Sequence, residues 1–207
     1  MTATLDSIDG KIDQLLSHFS TPPGGYTVSP APSQTPLTKT ITQQIWPLQS
    51  NCNAFYGDPG DTPDQWAAWE KEYLVDVPCP WPLNMDNVVV TKIRINKKCA
   101  DSLTRVLNNI WDATAHSLSA IQTLRYNLFS GSYNQRPIRG GTMRSMHGFG
   151  AAIDWDDQDN QQHALHHLFT DSSLLIVKFK EENWIWGGDW SPASIDAMHV
   201  QAARVHP

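Results

Sequence analysis

An α+β domain, with a mainly antiparallel sheet and flanking helices, is what this sequence predicts. Three observations predict it. Short apolar/polar alternations recur between turn-rich stretches, as strands on a half-buried sheet require. One long segment, Lys97 to Thr114, carries an apolar face at helical period. The order of these segments shows no regular strand–helix–strand alternation of the kind that builds a parallel sheet.

The elements are expected as follows. Leu5, Ile8, Ile12, Leu15 and Phe19 form a heptad-like seam, so residues 1–19 read as an amphipathic helix. The seam lasts about two heptads, too short for a stable free coiled coil. It either docks or oligomerises the chain or packs back on its own domain. Residues 20–42 are rich in Pro, Ser and Thr and read as a linker; some 20 flexible residues reach roughly 25 Å, and the prolines extend that. Residues 43–207 form the main domain. Trp46 to Pro82 is irregular, with turn residues at Gly57 to Asp61 and a helical patch at Asp64 to Tyr73. Val88 to Ile95 is a strand with Val89, Thr91, Ile93 and Ile95 on one face. In the helix that follows, Cys99, Leu103, Val106, Leu107, Ile110 and Trp111 share one side. Leu124 to Phe129 alternates as a second strand, and Ser132 to Arg144 is a polar loop. Ala151 to Trp155 is a third strand. Gln161 to Glu182 is helical by pattern, with Asp171-Ser172 as a candidate break and new N-cap. Trp184 to Trp186 and Met198 to Ala202 are the last strands.

Composition narrows the function. The chain has 207 residues, enough for one domain with a proper core plus added segments. Its net charge of −6 argues against nucleic acid as the main partner, because a phosphate-binding surface needs excess Lys and Arg. No apolar run is long enough to span a bilayer, and Met1 to Asp6 carries no signal-peptide pattern. The chain is therefore expected to be made in a cytoplasm. Nine tryptophans suggest a dense aromatic core or an aromatic cleft. Three cysteines, Cys52, Cys79 and Cys99, cannot form a closed disulfide framework, and Cys99 is expected as a small buried hydrophobe.

The chemistry concentrates in two motifs. Ser145-Met146-His147-Gly148-Phe149-Gly150-Ala151-Ala152-Ile153-Asp154 is followed far downstream by Asp196-Ala197-Met198-His199. Together they offer two imidazoles, a carboxylate and a spare carboxylate. That is the inventory of a catalytic zinc site, with three N/O ligands, an open position for water and a nearby base. His163, His166 and His167 also share a helical face at this spacing, but without a partnered acid they read as solvated.

The spaced pattern Ser145-x-His147-x-x-Gly150-x-Ala152-x-Asp154 with Asp196-x-x-His199 resembles the zinc signature of the D-alanyl-D-alanine carboxypeptidase and phage endolysin peptidases, relatives of the vancomycin-resistance D,D-dipeptidases and the hedgehog signalling domain. Arg136 to Gly141, Trp184-x-Trp186-Gly187-Gly188-Asp189-Trp190 and Met198 to Gln201 are similar to the phage-type branch, as are Cys52 to Gly57 and Asn96 to Ala100. The resemblance spans roughly Trp46 to Val205. It implies a zinc peptidase acting on the peptide stems of bacterial peptidoglycan, of L-alanyl-D-glutamate endopeptidase or D-Ala-D-Ala carboxypeptidase type, working as a lysin after release or as part of a virion. Through it, His147, Asp154 and His199 are the expected Zn2+ ligands and Asp196 the base. Arg136, or else Arg139, holds the substrate. Ser145 shapes the substrate side of the loop, and Trp186 is the tryptophan assigned to the cleft wall. Three positions depart from the pattern. The base is Asp where many members carry Glu. The loop after Asp154 is Asp156-Asp157-Gln158-Asp159-Asn160. Asn96 stands where close relatives have His.

Overall fold

A computed structural model describes residues 45–136 and 143–206. The helix expected over residues 1–19, the linker over 20–42 and Arg139 lie outside the described residues. The element order is α1 (Cys52–Tyr56), α2 (Pro63–Tyr73), β1 (Leu74–Met85), β2 (Val88–Asn96), α3 (Lys97–Ala113), α4 (Leu118–Thr123), β3 (Phe129–Gly131), β4 (Ala152–Trp155), α5 (Leu174–Glu181), β5 (Ile185–Trp186) and β6 (His199–Gln201). The fold is α+β, as the sequence predicts. Strands β1 and β2 form a two-stranded antiparallel sheet, and a four-stranded antiparallel sheet runs β3-β4-β6-β5. No helix among the described residues is long and apolar enough to cross a membrane.

Local chemistry accounts for the elements. Pro63 opens α2 behind a capping box, in which the Gln65 amide donates to the Thr62 hydroxyl and the Thr62 amide to the Gln65 side chain. Asp86 and Asn87, both at positive φ (51° and 67°), make the two-residue turn that joins β1 to β2. Helix α3 follows the expected span closely and buries Cys99, Leu103, Val106, Leu107 and Ile110 against β1 and α5. Cys52, Cys79 and Cys99 are all free, and burial pushes each thiol up to about 12. They are protonated fillers, not nucleophiles. The tryptophans mostly build the core. Trp46, Trp81, Trp155 and Trp184 are fully buried, and Trp184 donates its ring N–H to Ser102 Oγ at 2.9 Å.

Three expectations are corrected. The stretch up to Pro82 is not all irregular, because β1 is twelve residues long and contains Pro78, Pro80 and Pro82. The strand tolerates prolines because, among the described residues, it ladders with β2 alone and meets other backbone only at an isolated bridge, Asn84 to Leu128, and because the register shifts between Pro78 and Leu83. Leu124 to Phe129 is not a strand. Arg125 sits at φ +63° in the turn after α4, and pairing with β4 begins only at Phe129. Its guanidinium grips the buried Asp156 carboxylate through two 2.6 Å hydrogen bonds and reaches Asp159 at 2.7 Å, so a tertiary ion pair overrides the local alternation. Gln161 to Glu182 is helical only over α5. Before it, Asn160 accepts from the Phe169 amide (2.7 Å) and donates to the Asp156 carbonyl (3.0 Å), the His163 amide donates to Ile195 O (2.8 Å), and His163 takes φ +63°. His163, His166 and His167 therefore share no helical face.

Candidate metal centre and its cavity

His147 lies in a 3-10 turn, Met146–Phe149, between β3 and β4. Ser145 caps the turn, its hydroxyl accepting from the His147 amide at 3.3 Å. Gly150 closes it at φ +58°, where a Cβ would lie 2.6 Å from Leu74 Cδ2 and 2.9 Å from the Asn96 nitrogen. A side chain there is excluded by both conformation and space. Asn96 is fully buried at the end of β2 and clamps this loop. Its amide donates to Gly150 O (2.7 Å), its side-chain NH2 donates to Phe149 O and Tyr56 O (3.3 Å each), and its Oδ1 caps α3 through the Lys98 amide (3.1 Å). Sequence reasoning drew nothing from Asn96, because its four partners come from three separate segments.

Asp154 and His199 are directly opposite on β4 and β6. The ladder thus brings together residues 45 positions apart, and the 3-10 turn adds His147. Asp154 Oδ1 is 2.9 Å from His199 Nδ1, Asp154 Oδ2 is 3.2 Å from His147 Nε2, and the two ring nitrogens are 3.2 Å apart. The three residues are 4–9% exposed. Burial alone would raise the Asp154 carboxyl, but the two imidazoles outweigh it and hold the group well below the usual carboxylate range. For His199, burial pulls the ring down, and the stronger combined effect of Asp154, with Asp196 and Gln201, raises it above 6.5.

The donor set fits a metal ion. His147 Nδ1 is 2.6 Å from the Ser132 carbonyl, which only accepts, so Nδ1 donates to it and Nε2 is the nitrogen free to offer a lone pair to a metal ion. A tetrahedral zinc with bonds of about 2.0–2.2 Å has ligand–ligand edges of roughly 3.4 Å, close to the 2.9–3.2 Å found here. Among the described residues, His147, Asp154 and His199 are the group able to hold such an ion.

The trio opens on a cavity of about 410 Å3 whose wall includes Arg136, Ser145, Gln162, Trp190, Asp196 and Gln201. Asp196 reaches it from the loop before β6. Its amide donates to Gly187 O (3.0 Å), and its own carbonyl accepts from the His199 amide (3.1 Å). Gly187 lies against that carbonyl so closely that a Cβ would collide with it. Arg136 and Ser145 are joined by the backbone, the Ser145 amide donating to Arg136 O at 3.1 Å. Trp186 does not line the cavity. It packs in the core, with its ring N–H donating to Ala197 O at 2.8 Å, and Trp190 takes the wall position beside His199. The Gly187-Gly188 turn between β5 and Trp190 is the signal that could have separated the two. Sequence reasoning also missed Ser132 and Gln201, which touch the outer edges of the two histidines. A backbone carbonyl leaves no mark on residue type, and Gln201 reads as an ordinary strand residue.

Residues 139–202 match the family model described as D-alanyl-D-alanine carboxypeptidase, a span that contains His147, Asp154, Asp196 and His199. No curated protein and no solved structure matches the chain. The match covers less than half of the chain; it suggests a peptidase-type hydrolase, and the trio could bind a metal ion.

Proposed function

We propose that this chain is a zinc metallopeptidase that hydrolyses the peptide stems of bacterial peptidoglycan, of L-alanyl-D-glutamate endopeptidase or D-Ala-D-Ala carboxypeptidase type. The observation that carries the reading is the convergence of two imidazoles and a strongly acidic carboxylate at the floor of a cavity that also holds a second carboxylate, Asp196. His147, Asp154 and His199 would hold the ion, which would bring the pKa of a water to about 7 and polarise the scissile carbonyl. Asp196 takes the proton of the attacking water and returns it to the leaving amine, a role worth on the order of 10²–10⁴ in rate. Arg136, or else Arg139, pairs with a carboxylate of the wall peptide, for which a guanidinium supplies two parallel donors. Ser145 holds the His147 turn in place. Residues 43–207 are the peptidase domain, and residues 1–19 on the 20–42 linker are its docking or oligomerising element. The chain acts on the wall as a phage or prophage lysin after release, or within a virion through a tail protein or its own copies.

The N-terminal seam on its long linker favours one rival from another class, a non-catalytic zinc-containing virion module. Defined muropeptides treated with zinc-loaded and chelated protein, with products identified by mass, decide between them. Zinc-dependent cleavage of a stem peptide bond is the expected result. A protein that holds stoichiometric zinc and releases no product is the rival.

A further inference from the structure

We propose that Arg125, which does not line the cavity, sets the position of Asp196 by bracing the loop to which the Asp196 segment is bonded. The inference rests on the proposed role of Asp196 for its catalytic consequence, but not for its geometry. The contacts start at Asp156, two residues beyond Asp154 and 1% exposed. Asp156 takes φ +47°, a left-handed conformation that a non-glycine residue holds when its surroundings impose it. Its amide donates to Leu128 O at 2.9 Å, and its carboxylate receives Nε and Nη2 of Arg125 at 2.6 Å each. Such a fork fixes direction as well as distance. The same guanidinium reaches Asp159 at 2.7 Å, so it ties both ends of this turn.

Asn160 carries the constraint onward. It is fully buried, and its side-chain NH2 donates to the Asp156 carbonyl (3.0 Å) and to Asp156 Oδ2 (3.1 Å), while its Oδ1 accepts from the Phe169 amide (2.7 Å). The backbone here meets the Asp196 segment three times. The Met198 amide donates to Asn160 O (3.0 Å), the His163 amide donates to Ile195 O (2.8 Å), and Gln162 and Asp196 form an antiparallel bridge. Asp196 is thus held between residues 160–163 and Gly187, whose carbonyl accepts its amide at 3.0 Å. The Gly187 contact is backbone to backbone. The other side leads back to one guanidinium. The stretch Asp156-Asp157-Gln158-Asp159-Asn160, which departs from the family pattern, therefore has a use in this chain. Arg125 is a positioning residue that acts through Asp156 and Asn160. A displacement of about 1 Å in a reacting group costs on the order of 10²-fold in rate.

The test uses the full-length protein, one double variant and one single variant. Arg125→Met combined with Asp156→Asn removes the ion pair without leaving a buried charge, and keeps an acceptor for Asn160. Arg125→Lys keeps the charge but not the fork. Amide exchange followed by NMR should show the wild-type His163, Asp196 and Met198 amides exchanging as one group. In the double variant that group should exchange at least about 10-fold faster, while the Ala202 amide, bonded to Ala151 O, keeps its rate. The Lys variant should fall between. With zinc retained, kcat on a stem peptide should fall about 10–100-fold in the double variant, with KM within a few-fold. Three wild-type amides that exchange independently overturn the proposal, and that measurement needs no variant to fold. A Lys variant with wild-type exchange and kcat overturns it too. So does an equal loss of protection at Ala202 and Asp196, the mark of a merely structural role. If the exchange pattern appears and the wild type cleaves no stem peptide, the bracing of the Asp196 segment stands and the peptidase reading falls. If the wild type cleaves and both variants match it, the peptidase reading stands and the bracing falls.

Discussion

The two sheets of this protein invert the usual relation between size and importance. The β1–β2 hairpin has strands of twelve and nine residues, yet it supplies none of the cavity-lining groups. Its far end exposes Val88 and Val89 at 59% and 69%. The four-stranded sheet has strands of two to four residues, and its central pair β4 and β6 carries Asp154 and His199 face to face. Every residue of β4 and β6 is buried. Burial on both faces fixes a short strand more firmly than length fixes an edge hairpin, because a slip would expose apolar groups or strand polar ones. The hairpin reaches the site from its base, through Asn96 and through the Arg94 carbonyl, which accepts from Ser132 Oγ at 2.7 Å.

Substitutions in the two sheets should therefore differ by orders of magnitude. Asp154→Ala in β4 removes one of the three proposed ligands, so the purified protein should retain no stoichiometric zinc by elemental analysis and hydrolysis should drop to background. Asp196→Ala, beside the same strand pair but outside the trio, should keep zinc while hydrolysis falls by about 10²–10⁴. Retained activity would remove Asp196 as the base.

Acidity offers a further contrast, between the metal-free and metal-loaded small sheet. His199 titrates above its ordinary value in the metal-free protein. That stabilisation is complete below the unfolded value of about 6.5 and is lost as pH rises through the folded value. Asp154 is depressed, so its contribution is present above about 3.9 and lost as pH falls toward the folded value. Metal-free protein should thus lose stability as pH rises above about 6.5. Zinc must displace protons from the rings, so its stabilisation should grow over the same range. Melting curves with zinc and with chelator should diverge as pH rises, and parallel curves would argue against metal on these rings.

Asn96→Ala tests the hairpin's link to the His147 turn. It leaves the α3 cap and two buried carbonyls without their partner, and should cost about 2–3 kcal/mol in denaturant unfolding. Val89→Thr at the exposed end should stay within about 0.5 kcal/mol and leave hydrolysis unchanged.

What the sequence revealed follows the same division. The spaced residues His147, Asp154, Asp196 and His199 were legible as a set because metal chemistry restricts residue type as well as spacing, and the structure brings all four to one cavity. Helix α3 was legible because a long apolar stripe has a period of its own. The hairpin's first strand was hidden by prolines that only an edge tolerates. The false strand at 124–128 and the false helix before α5 each arose where a buried polar group recruits backbone from afar, Asp156 through Arg125 and Asn160 through Phe169. Local pattern cannot register such partners. Gln201 and Trp190 stayed hidden for a related reason, since nothing in either residue type says which neighbour it faces.

The Asp154–His199 pairing also sets where this domain can be edited. Removing or adding one residue within β6 would turn the imidazole to the opposite face of the sheet and bring a residue of the wrong chemistry against Asp154. In the exposed stretch Ser191–Ser194 a length change spends itself in solvent-facing backbone. Loop grafts meant to alter what the cavity accepts therefore belong between Trp190 and Ile195, and the frame of the last strand should be left uncut.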